Sequence, residues 1–403
     1  MKILIADSLA PNVTKTLSAA NFDHLVDPSL KEQTLVDALK STQADVLVVR
    51  STKVTGSMIE AAPKLRLIIR AGAGVNTIDV ETASRLGVFV GNCPGKNAKA
   101  VAELTFGLLI AADRRIADNT VALRKGEWNK KEFSKARGLA GRTLGIVGFG
   151  HIGQEVAMRA KAFEMDVLVS SRSLTEAAAK TLGIRRAGSL QELVTMADII
   201  SLHVAYTPET KGMCNQEFFS WMKEGAIFIN TSRGEIVEEE ALIKACETKR
   251  IRAGLDVFLK EPEVGQQDWK STLASHPQVV GTHHIAASTE QAEAAIGAEV
   301  IRLIREFNAT GNIETCVNLD PHAPATHLLS VRHLNRVGVL ARVLDILQRA
   351  GINVLDMENR IFSGDDAAVA LIRLGSPAEA AVITELQDCS AAIISVTINP
   401  LKE

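Results

Sequence analysis

Short apolar runs rich in Val, Ile and Leu alternate with helical patterns of hydrophobic positions from the amino terminus to about residue 310. Continuous apolar runs of this length are typical of strands that are buried on both faces of a parallel sheet. Their alternation with amphipathic helices predicts an α/β protein with doubly wound parallel sheets. The predicted strands are residues 3–5, 46–49, 67–69, 88–90, 144–147, 167–169, 199–202, 226–229, 254–257 and 279–280.

Two long helical patterns divide these strands into two groups. Residues 99–125 show helical periodicity without a strand signal, which predicts one long helix leading into the second group. A second pattern, residues 290–308, follows the last strand of that group and is expected to return the chain to the first. The sequence therefore predicts a discontinuous first domain, residues 1–95 and 288–318, and an inserted second domain, residues 96–287.

The carboxyl-terminal part of the chain has a different pattern. Residues 318–326 are polar and rich in proline, which predicts a linker. Beyond the linker, the order strand, helix, strand, strand, helix, strand predicts a small βαββαβ domain of the ferredoxin-like type over residues 326–403. Its predicted elements are strand 328–331, helix 338–350 and strands 354–360, 367–373 and 392–398.

Composition and charge exclude several classes of protein. The 403 residues are enough for two or three domains, and the formal net charge of −2 gives no overall attraction to nucleic acid or anionic lipid. No apolar segment approaches the length of a membrane span, and the short apolar run at the start of the chain does not predict a signal sequence. The five cysteines are scattered without a Cys-x-x-Cys pair, so we expect no disulfide framework and no metal site. The reduced cytoplasm is the predicted compartment.

A glycine-rich motif lies between the strand at 144–147 and a helical pattern at 154–163. Its spacing is Gly-x-Gly-x-x-Gly. In this setting the glycines permit a tight turn and the close approach of a pyrophosphate, and the helix N-terminus supplies N–H groups that bind it. The predicted dinucleotide-binding residues of the motif are Gly148, Gly150, His151, Ile152 and Gly153.

The residues that end the next strand bear on which dinucleotide is bound. A site for NAD usually carries Asp or Glu there, which accepts hydrogen bonds from the ribose hydroxyls. This chain instead has Ser171 followed by Arg172. A guanidinium beside a hydroxyl can bind a 2′-phosphate, whereas a carboxylate would repel it. NADP(H) is therefore predicted over NAD(H), which stays the alternative.

Three polar groups follow predicted strands of the second domain, at the strand ends where open α/β sheets bind ligands. Arg233 can form a bidentate contact with a substrate carboxylate. Either His283 or His284 can supply the proton that hydride transfer to a ketone requires, since neighbouring residues of an extended chain face opposite ways. Glu261 can favour the protonated imidazole. The three groups together predict acid–base chemistry on a carbonyl beside a carboxylate.

The order of these groups after the glycine motif, Arg, Glu and then His, resembles the D-isomer-specific 2-hydroxyacid dehydrogenases. The resemblance includes the segments 137–145 and 207–212. It implies that the first domain binds the substrate and that the inserted domain is a dinucleotide-binding Rossmann domain. It also implies an enzyme that transfers a hydride between a nicotinamide dinucleotide and a 2-hydroxy or 2-keto acid.

The same resemblance implies roles for individual residues. Arg233 would bind the substrate carboxylate, His284 would be the acid–base residue, and Glu261 would tune it. The family pattern Pro-His-Ile selects His284, although this chain has His283 in place of the proline and Ala286 where glycine is common. The residues implied to line the nicotinamide are Val204, Thr231, Ser232 and Asp256.

Within that family, the amino-terminal part is most similar to the phosphoglycerate dehydrogenase branch. A phosphorylated substrate needs cationic partners, for which Arg50 and Arg114 are predicted. Lys53 or Arg70 can take their place. The backbone of residues 72–74 is expected to lie against the substrate carboxylate. The predicted substrate-binding residues are Arg50, Ser51, Gly72, Ala73, Gly74, Asn97 and Arg114.

The carboxyl-terminal domain resembles an ACT domain, an amino-acid-binding module attached to many dehydrogenases of the serine pathway. The resemblance implies that His333, Asn335 and Asn353 bind L-serine, since a carboxamide offers both a donor and an acceptor to a zwitterion. Proline usually precedes Gly338 in this module, and this chain has Val337 there. The alternative is a domain that only dimerises through its sheet edge.

These resemblances imply interconversion of 3-phosphoglycerate and 3-phosphohydroxypyruvate, the first step of phosphorylated serine synthesis, by a homodimer or homotetramer. The first alternative is an NADPH-dependent reductase of hydroxypyruvate or glyoxylate, which Ser171 and Arg172 favour. The second is a dehydrogenase-fold sensor or scaffold without turnover. The intact set of Arg233, Glu261 and His284 argues against this second alternative.

Overall fold

A computed structural model describes residues 1–262, 268–320 and 324–401. The chain divides into two compact units, Met1–Asn318 and Leu319–Glu403. The first unit holds two parallel sheets and the second holds one antiparallel sheet. The predicted linker at 318–326 lies partly outside the described residues. Within those residues, no helix has the length and apolar character needed to span a bilayer.

Five strands near the amino terminus form the first parallel sheet. They are β1 (Lys2–Ile5), β2 (Asp23–Val26), β3 (Val46–Val49), β4 (Leu67–Arg70) and β5 (Phe89–Gly91), in the spatial order β2-β1-β3-β4-β5. The helices between them are α1 (Asn12–Ala19), α2 (Glu32–Thr42), α3 (Gly56–Glu60) and α4 (Val80–Arg85). Sequence analysis missed β2, because this edge strand is mostly exposed and so carries no continuous apolar run.

The single long helix predicted over residues 99–125 is wrong. The chain forms α5 (Ala98–Arg114) and α6 (Ile116–Arg124), followed by the short α7 (Lys130–Phe133). The break falls at Arg115, whose φ of 51° lies in the left-handed region and ends α5. The apolar face also ends there, since α5 packs on the second sheet whereas α6 has no buried residue.

Seven strands form the second parallel sheet. They are β6 (Thr143–Val147), β7 (Asp166–Ser170), β8 (Arg185–Arg186), β9 (Ile199–Leu202), β10 (Ile227–Asn230), β11 (Arg252–Leu255) and β12 (Val279–Gly281), in the order β12-β11-β10-β9-β6-β7-β8. The intervening helices are α8 (His151–Ala162), α9 (Glu176–Leu182), α10 (Leu190–Met196), α11 (Gln216–Trp221), a 3-10 turn at Gly234–Ile236 and α12 (Glu239–Lys249). The strand order reverses between β6 and β9, which confirms the doubly wound sheet and creates a ligand-binding crevice at that point.

The last helix of the first unit, α13 (Glu290–Thr310), returns the chain to the first sheet. Its buried residues Ile296, Val300 and Phe307 pack in one core with Ile3 and Leu67 of the first sheet. The strands of the two sheets thus come from separate stretches of sequence. The domain boundaries at residues 95/96 and 287/288 stay predictions.

The second unit has the predicted βαββαβ order. Its elements are β13 (His327–Leu334), α14 (Val339–Arg349), β14 (Val354–Ile361), β15 (Ala367–Leu374), α15 (Ala380–Asp388) and β16 (Ile393–Pro400). The strands are antiparallel, in the order β14-β15-β13-β16. Alternate strand residues such as Leu329, Val331 and Ile372 are buried with residues of α14 and α15. This arrangement confirms a ferredoxin-like fold.

A buried ion pair joins the end of α5 to the start of β6. Arg142 Nη1 lies 3.0 Å from Asp113 Oδ1, and both side chains are only 6% exposed. Asp113 also accepts a hydrogen bond from the Gly138 N–H. Burial, followed by the charge of Arg137, lowers the pKa of Arg142, so this guanidinium depends on its carboxylate partner.

We expect Asp113→Ala to lower the free energy of unfolding by about 3–5 kcal/mol, because a buried guanidinium would lose its counter-ion. The control is Glu60→Ala, which breaks the exposed ion pair with Arg85 and should cost less than about 1 kcal/mol. Denaturation followed by circular dichroism measures both variants. Equal stabilities would contradict this prediction.

Candidate active site

Arg233 lies just after β10, at the carboxyl edge of the second sheet. The buried Asn230 organises this turn: its Oδ1 accepts hydrogen bonds from the Ser232 N–H and hydroxyl, and its Nδ2 donates to the Arg233 carbonyl at 2.9 Å. A Cβ at Gly234 would collide with the backbone of Phe258. Only glycine therefore allows the Arg233 turn to pack against the segment that leads to Glu261.

Glu261 and His284 form a hydrogen-bonded pair. His284 Nδ1 lies 2.6 Å from Glu261 Oε2, and the Phe258 N–H donates to the other carboxylate oxygen at 3.0 Å. Burial opposes ionisation of Glu261, but these hydrogen bonds and the charges of His284 and Arg233 outweigh it and lower its pKa. An ionised carboxylate only accepts, so Nδ1 carries a proton and Nε2 is the nitrogen that can exchange one with a substrate.

The loop that carries His284 is held by Asp256, whose side chain is fully buried. His284 has a φ of 53°, in the left-handed region that is costly for a residue with a Cβ. The backbone carbonyl of Asp256 accepts the His284 N–H at 2.8 Å. Its carboxylate accepts the Thr282 hydroxyl at 2.6 Å and the N–H groups of Ile285 and Ala286, each at 2.9 Å.

Asp256 thus has a positioning role that sequence analysis missed. About thirty residues separate it from the loop that it holds, so no local pattern signals the contact. Its predicted place beside the nicotinamide stays a prediction.

The glycine motif at β6 forms a cradle open on one side. Gly148 has a φ of 93°, a Cβ there would collide with the His203 carbonyl, and a Cβ at Gly153 would collide with the Gly148 carbonyl. A Cβ at Gly150, in contrast, would meet nothing within 4 Å. Gly150 is also the extended N-cap of α8 and leaves the first N–H groups without a side-chain cap. The open backbone and free N–H groups, which begin at His151 and Ile152, fit a pyrophosphate.

The other predicted cofactor residues lie after strands of the same sheet. Val204 Cγ1 would lie 2.8 Å from a Cβ on Gly148. The Ser171 hydroxyl lies 3.2 Å from that of Ser173, and Arg172 is exposed after β7. Thr231 is buried and shares a 3.0 Å hydrogen bond with Thr105. The hydroxyls and the guanidinium at the end of β7 are therefore accessible to a ligand.

His203, at the end of β9, was not identified from the sequence. Its Nε2 lies 2.8 Å from the Ser201 hydroxyl, and its Nδ1 is buried without a partner among the described residues. Burial lowers the pKa of His203 to about 3, so the imidazole is neutral. This histidine forms part of the wall behind Gly148 and stays uncharged.

On the first sheet, a single carboxylate organises the turn after β3. Asp7, at the end of β1, accepts hydrogen bonds from the backbone N–H groups of Arg50, Ser51 and Thr52 at 2.7 to 3.1 Å. It also accepts the Ser51 hydroxyl at 3.0 Å. Arg50 Nη1 lies 3.0 Å from Glu293 of α13. Both carboxylates were missed in the sequence, because each acts on a residue far away along the chain.

The glycine turn after β4 meets the second sheet. A Cβ at Gly74 would lie 2.6 Å from Arg233 Nη2, and a Cβ at Gly72 would collide with the Arg70 guanidinium. The Ala73 carbonyl accepts the Asn92 amide at 2.6 Å. These contacts bring the predicted substrate turn against Arg233, as the substrate-binding prediction requires.

Arg70 shows how strongly cationic this cleft is. Burial, followed by the charges of Arg233 and Arg50, lowers the pKa of Arg70 to about 10. Its Nε is buried and has no partner among the described residues. The charges of Arg50, from the same sheet, and of Arg233, from the second sheet, therefore both act on Arg70. An anion bound there would offset their repulsion.

The structure does not bring Arg114 to this cleft. Asn97, the N-cap of α5, has a buried Oδ1 without a partner in the described chain, whereas Arg114 ends the same helix. At about 1.5 Å per residue, the two are separated by about 26 Å. Arg114 lines a small cavity with Arg252, at the amino end of β11. The helical periodicity alone did not reveal which end of α5 faces the ligand.

The three predicted effector residues do not converge within one copy of the second unit. His333 pairs with Ala368 in the sheet, whereas Asn353 directly precedes Val354, which pairs with Leu374. The part of β15 between these pairs is about 20 Å long, at about 3.3 Å per residue.

The contacts of these residues also differ. His333 is buried, with its Nε2 3.2 Å from Asn359 Oδ1, and Asn335 donates to the Asp365 carbonyl at 3.0 Å. Asn353 is exposed. Antiparallel pairing thus places these residues at opposite ends of the sheet of one copy, and their shared contact with serine stays a prediction.

Comparison with known families agrees with the fold. The profile described as "D-isomer specific 2-hydroxyacid dehydrogenase, NAD binding domain" matches residues 106–286. The hydroxypyruvate reductase of Thermotoga maritima is 39% identical over 305 residues, which cover 75% of this chain and 97% of the relative. The chain belongs to the D-isomer-specific 2-hydroxyacid dehydrogenase family. Its cofactor is accordingly a nicotinamide dinucleotide.

Two further relatives bear on the branch of the family. The D-3-phosphoglycerate dehydrogenase of Methanocaldococcus jannaschii is 40% identical over 330 residues, or 81% of this chain. The chain spans only 61% of the length of that relative. A solved NADPH-dependent glyoxylate/hydroxypyruvate reductase from Sinorhizobium meliloti, in complex with NADP and malonate, matches with a TM-score of 0.66 and 27% identity. That match covers 78% of this chain and 96% of the reductase.

We expect Gly234→Ala to lower kcat/KM by at least about 100-fold, because the added methyl group would push the Arg233 turn away from the Glu261 segment. The matched control is Gly107→Ala in α5, where a Cβ meets nothing within 4 Å and helix propensity favours alanine. Steady-state kinetics with both variants tests the contact. Near-native turnover of Gly234→Ala would show that the close approach is not needed.

Proposed function

We propose that this protein is a D-3-phosphoglycerate dehydrogenase, which interconverts 3-phosphoglycerate and 3-phosphohydroxypyruvate with a nicotinamide dinucleotide. The observation that carries the proposal is the cleft in which Arg50, Arg70 and Arg233 lie near the Glu261–His284 pair. A doubly charged substrate, with a carboxylate at one end and a phosphate at the other, suits a cleft with separated guanidiniums.

In the proposed reaction Arg233 binds the substrate carboxylate through its guanidinium. The glycine turn that contacts Arg233 lies against the same carboxylate. Binding of the carboxylate holds the substrate's carbonyl carbon in the position for reaction and supplies much of the orientation of the substrate relative to the dinucleotide. The dinucleotide, when bound, supplies or accepts the hydride at that carbon.

His284 handles the proton in the same step. In reduction, Nε2 donates its proton to the carbonyl oxygen as the hydride arrives at carbon, and the product is the neutral hydroxyl. In oxidation, Nε2 takes the hydroxyl proton as the hydride leaves. Glu261 stabilises the imidazolium through Nδ1, and Asp256 fixes the loop, so both act through His284.

The phosphate would be bound by the cations of the first sheet. Arg50 is held at its backbone by Asp7, and Arg70 carries an unpartnered buried Nε among the described residues. A phosphate offers several acceptor oxygens to such donors. Asn97, with its buried unpartnered Oδ1, and Ser51 complete the proposed substrate residues.

For the cofactor we propose NADP(H), bound by Ser171 and Arg172 at the 2′-phosphate. Arg172 also adds to the lowering of the pKa of Glu209, after the hydrogen bond from Thr207 and a backbone hydrogen bond. The charge of Glu209 therefore interacts with that of Arg172 at the proposed 2′-phosphate site. NAD(H) is the alternative, and the ratio of the two activities decides between them.

We further propose a homodimer or homotetramer in the cytoplasm, with L-serine as the effector of the second unit. All five cysteines are free, as a reducing compartment allows. His333 and Asn335 lie at one end of that unit and Asn353 at the other. A serine that contacts both ends would therefore bridge two copies of the domain.

The second candidate is a hydroxypyruvate or glyoxylate reductase. Two observations favour it. The hydroxypyruvate reductase relative matches over almost its whole length. In addition, Arg50 of the proposed phosphate subsite already forms an ion pair with Glu293. A sensor or scaffold without turnover is disfavoured, because the Glu261–His284 pair has the geometry for acid–base chemistry.

Turnover of 3-phosphohydroxypyruvate, hydroxypyruvate and glyoxylate, each with NADH and NADPH, tests the function. We expect the highest kcat/KM for 3-phosphohydroxypyruvate, because Arg50 and Arg70 add binding energy at the phosphate. Added L-serine should lower this rate. Higher kcat/KM for the unphosphorylated acids would establish the reductase, and inactivity with every pair would favour the sensor.

We expect Ser171→Asp combined with Arg172→Ile to reverse the cofactor preference, because the aspartate accepts from ribose hydroxyls and repels a 2′-phosphate. The ratio of kcat/KM for NADPH to that for NADH should fall by at least about 100-fold. The control is Arg185→Ile, which removes an exposed arginine from β8 of the same sheet. An unchanged ratio in the double variant would show that the 2′-phosphate is bound elsewhere.

A further inference from the structure

The ion pair between Arg50 and Glu293 joins the first sheet to the start of α13. Arg50 Nη1 lies 3.0 Å from Glu293 Oε1, and the side chains are 31% and 38% exposed. Arg50 follows β3, and its backbone N–H is fixed by Asp7. Glu293 lies in the first turns of α13, a few residues after the loop that carries His284. The pair therefore lies at the cleft rather than on a remote surface.

The charge of Glu293 changes what this part of the cleft can bind. Without the glutamate, Arg50 and Arg70 would offer two positive charges to a substituent on the third carbon of the substrate. With it, the Arg50 guanidinium already has an anionic partner, and a phosphate must share or displace that partner. Two anions at one guanidinium repel each other, and partial burial weakens the screening by water.

A hydroxyl group has the opposite relation to this pair. It can accept a hydrogen bond from a guanidinium and donate one to a carboxylate at the same time. The Arg50–Glu293 pair offers both partners, whereas a fully ionised phosphate has no proton to give to Glu293. The pair thus matches an unphosphorylated third-carbon hydroxyl better than it matches a phosphate dianion.

We propose that Glu293 is a specificity-determining residue, which competes with the substrate phosphate for Arg50 and narrows the preference between phosphorylated and unphosphorylated 2-keto acids. It acts through Arg50 and takes no part in proton or hydride transfer. The inference rests on the proposed function, because it assumes that this cleft turns over 2-keto acids of both kinds.

The test is the variant Glu293→Gln, which keeps the size of the side chain and removes its charge. The measured quantity is the kcat/KM for 3-phosphohydroxypyruvate divided by that for hydroxypyruvate. We expect this ratio to rise by at least about tenfold, chiefly through a lower KM for the phosphorylated acid. Glyoxylate has no third carbon, so its turnover in each variant corrects for general damage to the site.

Two further variants complete the experiment. Glu293→Asp keeps the charge and should hold the ratio within about threefold of the wild type. Glu60→Gln breaks the exposed ion pair between Glu60 and Arg85. It controls for the loss of an ion pair elsewhere among the helices of the first sheet. A ratio in Glu293→Gln that is unchanged or lower would overturn the proposal.

The result is separable from the test of the function itself. If the wild-type protein turns over neither acid, the proposed function fails. A preference of the wild-type protein for hydroxypyruvate also fails the proposed function, and the Glu293→Gln ratio then still tests Glu293. If the wild-type protein prefers 3-phosphohydroxypyruvate and the Glu293→Gln ratio does not rise, only the role of Glu293 fails.

Discussion

The lack of a side chain at Gly234 and at Gly74, the two glycines beside Arg233, is the constraint on which the site depends. A Cβ at Gly234 would collide with the Phe258 backbone of the same sheet, and a Cβ at Gly74 would lie 2.6 Å from Arg233 Nη2. These contacts bring a guanidinium from one sheet against the glycine turn of the other. The position of Arg233 therefore depends on one backbone contact within the second sheet and on one contact of its guanidinium with the first sheet's glycine turn.

Two carboxylates then fix neighbouring turns, Asp256 from a fully buried position and Asp7 from a partly buried one. Asp7 gathers the N–H groups after β3, and Asp256 gathers those of the His284 loop, including a residue in a left-handed conformation. Each carboxylate accepts hydrogen bonds from several backbone N–H groups that would otherwise lack a partner once they are shielded from water. The reactive side chains of Glu261 and His284 stay partly exposed, while Asp256, which holds the His284 loop, is buried.

Much of this arrangement can be predicted from the sequence, and the missing or wrong predictions have physical causes. Apolar runs such as that of β3 predict buried strands, but the exposed edge strand β2 and the two-residue β8 carry no such run. The glycine motif and the order of Arg233, Glu261 and His284 predicted the components of the site. The family resemblance, rather than the residues alone, selected His284 over His283.

What the sequence could not reveal depends on distance along the chain. Asp256 and Glu293 act on residues about 30 and 240 positions away, which no local pattern records. Arg114 was misplaced because helical periodicity does not say which end of α5 meets the ligand. The ACT resemblance gave three effector residues, but only the strand register showed that Asn353 lies apart from His333.

That separation has a consequence for how an effector would be sensed. A ligand held by both ends of the four-stranded sheet needs two domains, so its binding and the association of the chains are thermodynamically linked. Its apparent affinity would then rise with the concentration of the protein, and the ligand would in turn strengthen the assembly. The fraction of such domains with bound effector would therefore depend on the concentration of the enzyme as well as on that of the effector.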